Sequence, residues 1–179
     1  MAAPPDEGRD KRVKAILAEI ESQRRKAAEA GQHFTLPTDA AQRIGPRSQP
    51  LIVWQAWNPT TSPGRSLVCN VGVANPSANG HEGLFVHLFV GTGNIVAVEP
   101  ASSPGVVTPG IDVRFPQLSL PRYPGISFEA GQTRSLSIGL VVPKAMEPSN
   151  YIANLLLFQA VWHDPGRSLD RSLFVFEVR

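Results

Sequence analysis

Residues 127–162 have the sequence SFEAGQTRSLSIGLVVPKAMEPSNYIANLLLFQAVW, and this stretch decides the fold class. In residues 133–142, aliphatic side chains alternate with mostly small or polar ones, a period of two that is typical of a half-buried strand. After Pro143 and Pro148, residues 151–162 are apolar on both faces, too short to cross a bilayer as a helix, and flanked by turn residues. We therefore predict two strands here, the second being the most buried in the protein, and two packed β-sheets.

Further strands of the same kind are predicted on both sides of this pair. In residues 66–75, the apolar side chains of Leu67, Cys69, Val71 and Val73 alternate with smaller or more polar neighbours. The other predicted strands are residues 51–57, 84–90 and 173–178, with short edge strands at 94–99 and 111–115. Because 17 prolines and 15 glycines favour turns and short strands, we predict one mainly β domain, an antiparallel β-sandwich over residues 51–179.

One amphipathic helix is predicted before this domain. Val13, Ile16, Leu17 and Ile20 follow the spacing i, i+3, i+4 and i+7, and Gly31 stands where a left-handed residue ends a helix. The predicted segments are a disordered tail at 1–9, the helix at 10–31 and a linker at 32–50. Two hypotheses stay open: the apolar stripe packs on its own domain, or it docks on a partner or a second copy.

Composition and charge narrow the class of protein. With 179 residues, 42% hydrophobic and 18% charged, the chain is long enough for one core of ordinary size. Seven of the 17 Lys/Arg and six of the 15 Asp/Glu lie in residues 1–31, so neither this segment nor the rest of the chain is a basic arm for nucleic acid.

A lone cysteine favours a reducing compartment. We see no signal peptide or membrane span, and therefore expect a cytoplasmic protein with no membrane partner.

No catalytic, metal or cofactor pattern is complete, so we expect no enzyme. Cys69 shares the inward face of its strand, where a thiol acts as a small hydrophobe. The spacing of His81, Glu82 and His87 is not one that metal sites use. The sequence GTGN at residues 91–94 lacks the third glycine and the helix of a dinucleotide loop.

Two tryptophans are candidate contact residues. Trp54 and Trp57 lie three apart on a strand and therefore on opposite faces, which leaves one for the core and the other for solvent, a partner or the helix.

Residues 91–125 contain six prolines, and a long irregular segment in a compact domain is more often functional than decorative. Tyr123 in that segment completes the interface candidates, which are Val13, Ile16, Leu17, Ile20, Trp54, Trp57 and Tyr123.

Several segments resemble the immunoglobulin-like sandwiches of the bacterial cell-adhesion-related (CARDB-type) group and, more loosely, the fibronectin-III group. The sequence LVCNVGVANP at residues 67–76 is similar to their strand and corner, and FEAGQT at 128–133 to their turn. Tyr151 stands where such domains place a corner tyrosine. The resemblance covers roughly residues 66–178 and implies an immunoglobulin-like fold and a non-catalytic spacer or binding module.

We therefore expect a non-catalytic protein–protein interaction or structural assembly component whose contacts are the helix and the Pro-rich segment, and whose partner is another protein or a second copy in a homo-oligomer. One alternative is a carbohydrate-binding module that uses an exposed tryptophan. Another is a structural protein of a virion or phage-like particle, whose sign would be symmetric particles in electron micrographs.

Overall fold

The computed structural model describes residues 7–36, 44, 49–91, 99–100, 112–115, 126–142, 144–159 and 167–179. These parts contain the α-helix α1 (Glu7–Glu29) and eleven strands. The strands are β1 (His33–Thr35), β2 (Leu51–Trp57), β3 (Thr60–Thr61), β4 (Ser66–Ala74), β5 (His81–Gly91), β6 (Glu99–Pro100), β7 (Asp112–Phe115), β8 (Ile126–Phe128), β9 (Thr133–Val141), β10 (Ser149–Gln159) and β11 (Arg167–Val178).

The strands form two sheets. In sheet A the order is β1-β2-β4-β9-β6, and in sheet B it is β3-β11-β10-β5-β7, with β8 also paired to β5. The ladders are antiparallel except for the short β3–β11 contact, which is parallel. The chain is therefore mainly β with two sheets and an N-terminal helix, as the sequence predicts.

One hydrophobic cluster contains side chains from both sheets. The predicted alternation in β4 is confirmed, because Leu67, Cys69, Val71 and Val73 are all fully buried in this cluster. From sheet B the cluster takes Phe174 and Phe176 of β11 and four side chains of β10, among others. Burial of apolar side chains from both sheets in one cluster is the dominant favourable contribution to folding.

The helix covers the opposite face of sheet A. Ile16 and Ile20 of α1 are buried in a second cluster with residues of β2 and with Ala74, and Val13 and Leu17 pack against that cluster. Arg12 extends the contact, since its Nε donates to the Pro76 carbonyl at 3.0 Å. The predicted end of the helix is confirmed: Gly31 has a φ of 67°, and the N–H groups of Gly31 and Gln32 donate to the carbonyls of Ala28 and Ala27. The helix begins at Glu7, three residues before the predicted start.

The helix makes β2 a strand that is buried on both faces, whereas β10 is not. All seven residues of β2 are buried, whereas burial alternates along β10 and leaves Ile152 and Asn154 exposed. The prediction that the second strand of the opening stretch is the most buried is therefore wrong. Its outward residue Ile152 stays exposed, because α1 packs on the other sheet.

A β-bulge sets which β2 side chains face the helix. The register with β4 shifts between Ile52 and Trp54, so Val53 is an extra residue. As a result Ile52 lies in the cluster between the sheets, while Val53 and Trp54 both lie in the helix cluster. Trp57 returns to the cluster between the sheets.

Two polar side chains hold the chain at its corners. The side chain of Asn75 is fully buried, and its Nδ2 donates to the carbonyls of Asn79 and Glu129 while its Oδ1 accepts from Ser77. The hydroxyl of Tyr151 donates to the Glu147 carbonyl at 2.7 Å. A buried polar group stabilises a fold when its hydrogen-bonding capacity is satisfied in this way.

Candidate functional site

A contiguous apolar patch lies on the outer face of β10 and β11. Ile152, Leu173 and Val175 are 43%, 58% and 46% exposed, and they are the exposed large hydrophobic residues among those whose side chains the structure describes. Ile152 pairs directly with Val175 across the ladder, and Leu173 follows two residues before Val175 on the same face. We call these three side chains the outer patch.

Charged side chains stand at both ends of the outer patch on β11. Every second residue of a strand faces the same side. The outer face of β11 therefore presents Arg171, Leu173, Val175 and Glu177, in this order. The β10 partners of Arg171 and Glu177 are Leu156 and Asn150, which are uncharged. Glu177 also contacts Arg179 at 2.9 Å, and both side chains are more than a third exposed. The face is therefore apolar in its centre and charged at its ends.

Side chains of sheet A close the free edge of β11 beside this patch. Among the described strands, β3 pairs with β11 only at Glu177 and Val178. Trp57 Nε1 donates to the Val175 carbonyl at 2.8 Å, and Gln55 Nε2 donates to the Leu173 carbonyl. These bonds occupy edge carbonyls that would otherwise be open to another strand.

An open cleft of about 510 Å³ lies next to this edge. One wall contains Thr35 and Leu36, the other contains Arg171 and Ser172, and Gln55 also lines the cleft. We call this space the edge cleft. Its volume falls within the range of sites that hold small ligands.

Gln55 brings an unsatisfied polar atom to the edge cleft. The residue is only 2% exposed, and its Oε1 has no hydrogen-bond partner among the described atoms although its Nε2 is bonded. A buried amide oxygen left unpaired costs free energy, on the order of 1–3 kcal/mol. A ligand group that donates a hydrogen bond would remove that cost.

The four predicted contact residues of the helix are covered by the chain itself. Ile16 and Ile20 are buried against sheet A, and Val13 and Leu17 are partly buried on the same cluster. These side chains can therefore meet a partner only if the helix leaves the sheet. Of the two hypotheses for the stripe, the structure shows packing on the chain's own domain.

Both candidate tryptophans are buried, on opposite faces of β2 as predicted. Trp54 is 2% exposed and stacks on Phe34, while Trp57 is 7% exposed and contacts Phe174. Of the open hypotheses, the structure shows cover by the core and by the helix, and neither ring is exposed as a sugar platform, because α1 and β1 cover the face that holds Trp54. Tyr123, with most of the Pro-rich segment, lies outside the described residues.

The one cysteine is buried, and the described residues form no group of metal ligands. Cys69 is fully buried, and burial raises the pKa of its thiol far above the ordinary value, so that it stays protonated. Within the described ranges, no three His, Cys, Asp or Glu residues are grouped to hold a metal ion. In the same ranges, no helix has the length and apolar content needed to cross a membrane.

The outer patch was missed because its signal in the sequence is ambiguous. In β11, Leu173 and Val175 alternate with Phe174 and Phe176, so both faces are apolar and the pattern alone does not tell which face is outside. The polar residues Arg171 and Glu177, which share the register of Leu173 and Val175, are the one clue that this face is outward. Gln55 gave no signal at all, because an isolated glutamine in an apolar strand matches no motif.

The comparisons with known proteins show a fold and no family. No family model and no curated protein matches the chain, and the expected cell-adhesion-related group finds no support. Among solved structures, the C-terminal domain of Wzt matches with a TM-score of 0.52 at 11% identity, covering 83% of this chain and 78% of that one. At this identity the similarity shows the fold alone.

Two further solved structures match with TM-scores below 0.5. The alpha-2-macroglobulin of E. coli matches with a TM-score of 0.45 at 10% identity. The match covers 74% of this chain and 7% of the E. coli chain. The sporulation control protein Spo0M of Bacillus subtilis matches with a TM-score of 0.40 at 8% identity. The match covers 74% of this chain and 50% of the Spo0M chain.

Proposed function

We propose that this chain is a non-catalytic interaction or assembly component built on an immunoglobulin-like β-sandwich, and that it binds protein through the outer patch. The observation that supports the proposal is the contiguous exposure of Ile152, Leu173 and Val175. Contiguous apolar surface on a protein commonly marks an interaction site, whereas scattered exposed side chains do not. The corner bond of Tyr151 to Glu147 supports the immunoglobulin-like assignment.

The contacts proposed here differ from those expected from the sequence alone. The helix stripe is occupied by sheet A, so the outer patch on sheet B takes its place as the contact surface. The rigid β10–β11 ladder, which contains 11 residue pairs, holds the patch in place. A binding surface on paired strands loses less conformational entropy on binding than a surface on a loop does.

Site-specific photo-crosslinking tests this proposal in the cells from which the chain comes. We expect a benzophenone amino acid at position 173 to give defined protein adducts, because Leu173 is the most exposed residue of the outer patch. The matched control carries the same group at Ser137, which is exposed on β9 of the other sheet. Equal adduct patterns at both positions, or none at position 173, would contradict the proposal.

A second candidate function is binding of a polar ligand such as a sugar in the edge cleft, without an aromatic platform. The unpaired Oε1 of Gln55 favours it, because a ligand hydroxyl could donate to that atom while Asn154 and Arg171 donate from the rim. Trp54 also lines the cleft, so its fluorescence should change when a ligand binds there.

We expect tryptophan fluorescence to change saturably with one member of a panel of mono- and oligosaccharides. Gln55→Met keeps the length of the side chain but removes its amide, so we expect the response to be lost. Ser137→Ala, on the outer face of sheet A, serves as the control and should titrate like the wild type. A flat titration across the whole panel would exclude this candidate.

A further inference from the structure

The outward residues of β11 have a symmetric arrangement. Arg171 and Glu177 each stand three residues from Phe174, and Leu173 and Val175 each stand one residue from it. All four share the outer face, since Phe174 and the other even-numbered residues from 174 to 178 are buried in the core. Along this face the order is cation, apolar, apolar, anion, over about 20 Å.

Such a face is complementary to itself. If two copies meet face to face with their β11 strands antiparallel, a two-fold axis passes beside Phe174. Leu173 of one copy then faces Val175 of the other, and Arg171 faces Glu177, each contact occurring twice. Parallel strands would instead oppose Arg171 to Arg171 and Glu177 to Glu177, and would be disfavoured.

The neighbouring strand adds no charge that would oppose this arrangement. The β10 positions beside the four residues are Asn150, Ile152, Asn154 and Leu156. In the antiparallel arrangement Ile152 faces Asn154 of the other copy and lies diagonal to its Leu173. Arg179 already contacts Glu177, but this exposed ion pair is weak and leaves the carboxylate open to a second cation.

We infer that the partner of the outer patch is a second copy of this chain, which binds face to face through β10 and β11 in a two-fold dimer. The inference rests on the proposed function and names its partner. Three apolar side chains and a two-stranded face place the contact at the small end of protein interfaces, below about 1,200 Å² in total. The dimer is therefore a weak one, in exchange with monomer at micromolar concentration.

Complementary charge swaps provide a test that folding defects do not mimic. Sedimentation equilibrium of the full chain, from low micromolar to near-millimolar concentration, should show a monomer–dimer equilibrium. In R171E the introduced carboxylate opposes Glu177 at both ends of the interface, and in E177R the introduced guanidinium opposes Arg171 at both ends. We expect each variant alone to dimerise at least about tenfold more weakly.

Mixing the two variants should restore association, because a heterodimer of R171E with E177R again opposes a carboxylate to a guanidinium at each end. The double variant R171E/E177R should likewise dimerise with itself. L173E, which places a carboxylate opposite Val175, should remain monomeric. Mixing L173E with R171E or with E177R should not restore association. Near-wild-type circular dichroism and unfolding curves of each variant would show that these effects do not come from loss of structure.

The outcomes separate this inference from the proposed function. A wild type that stays monomeric over the whole concentration range, or a dimer that both charge variants leave unchanged, overturns the inference. Failure of the mixed variants to associate also overturns it. If position 173 still crosslinks to a different protein in that case, the proposed function survives with another partner. If adducts from position 173 have twice the mass of the chain, both are supported.

Discussion

Replacement of Gly72 by alanine is expected to lower the free energy of unfolding by about 2–4 kcal/mol. Gly72 lies on the β4 face that meets the helix, and the indole of Trp54 crosses directly over it. A Cβ at position 72 would overlap Trp54 Nε1, well inside contact distance. Phe34 stacks on the indole with a centroid distance of 5.7 Å, so a shift of the ring would disturb this contact. Urea denaturation followed by circular dichroism measures the loss.

A double-mutant cycle shows whether the clash is the cause. Trp54→Leu removes the ring that a Cβ at position 72 would strike, so G72A should cost much less in that background than in the wild type. We expect a coupling free energy above about 1 kcal/mol. Gly31→Ala is the control, since its Cβ meets nothing within 4 Å and only its φ of 67° is unfavourable, at about 1 kcal/mol. Strict additivity of G72A and W54L would show that the indole does not cross Gly72.

Replacement of Ile16 by alanine is expected to destabilise the whole chain by about 2–4 kcal/mol. Ile16 is fully buried in the cluster that α1 forms with β2, and its loss leaves a cavity in the cluster that contains Trp54. Because the helix packs on its own domain, the loss should be the same at low and high protein concentration. Thermal unfolding at two concentrations, followed by tryptophan fluorescence and by circular dichroism, makes the measurement.

Lys14→Ala is the matched control for this prediction. Lys14 is exposed on the same helix, so its replacement should change stability by no more than about 0.5 kcal/mol. A difference in stability between I16A and the wild type that changes with protein concentration would indicate a stripe shared between copies. An I16A variant as stable as the wild type would show that the helix does not contribute to the folded domain.

The sequence predicted the elements well where one face is polar. The alternation in residues 66–75 and 133–142, and the spacing of Val13, Ile16, Leu17 and Ile20, each match a single period. Gly31 was identified as the end of the helix because only glycine adopts its left-handed backbone readily. The opposite facing of Trp54 and Trp57 also followed from strand periodicity, since the bulge at Val53 precedes both residues.

The candidate site was much less predictable. The outer patch consists of residues on two strands that are separated by about 20 positions in the sequence and become neighbours only through the β10–β11 ladder. The hydrogen bonds of Gln55 and Trp57 to the edge of β11 join residues 118 positions apart. No local pattern encodes contacts of this range, because periodicity describes the faces of one element and not what covers each face.

The amino-acid sequence by itself determined that the chain is mainly β, that a helix precedes the strands, and which side chains of β4 face inward. Those features depend on local backbone preference and on the two-residue period of a strand. Only the tertiary structure decided which sheet the helix covers. Because α1 packs on sheet A, β2 is buried on both faces, Trp54 is buried, and the apolar outer patch of β10 and β11 is left exposed.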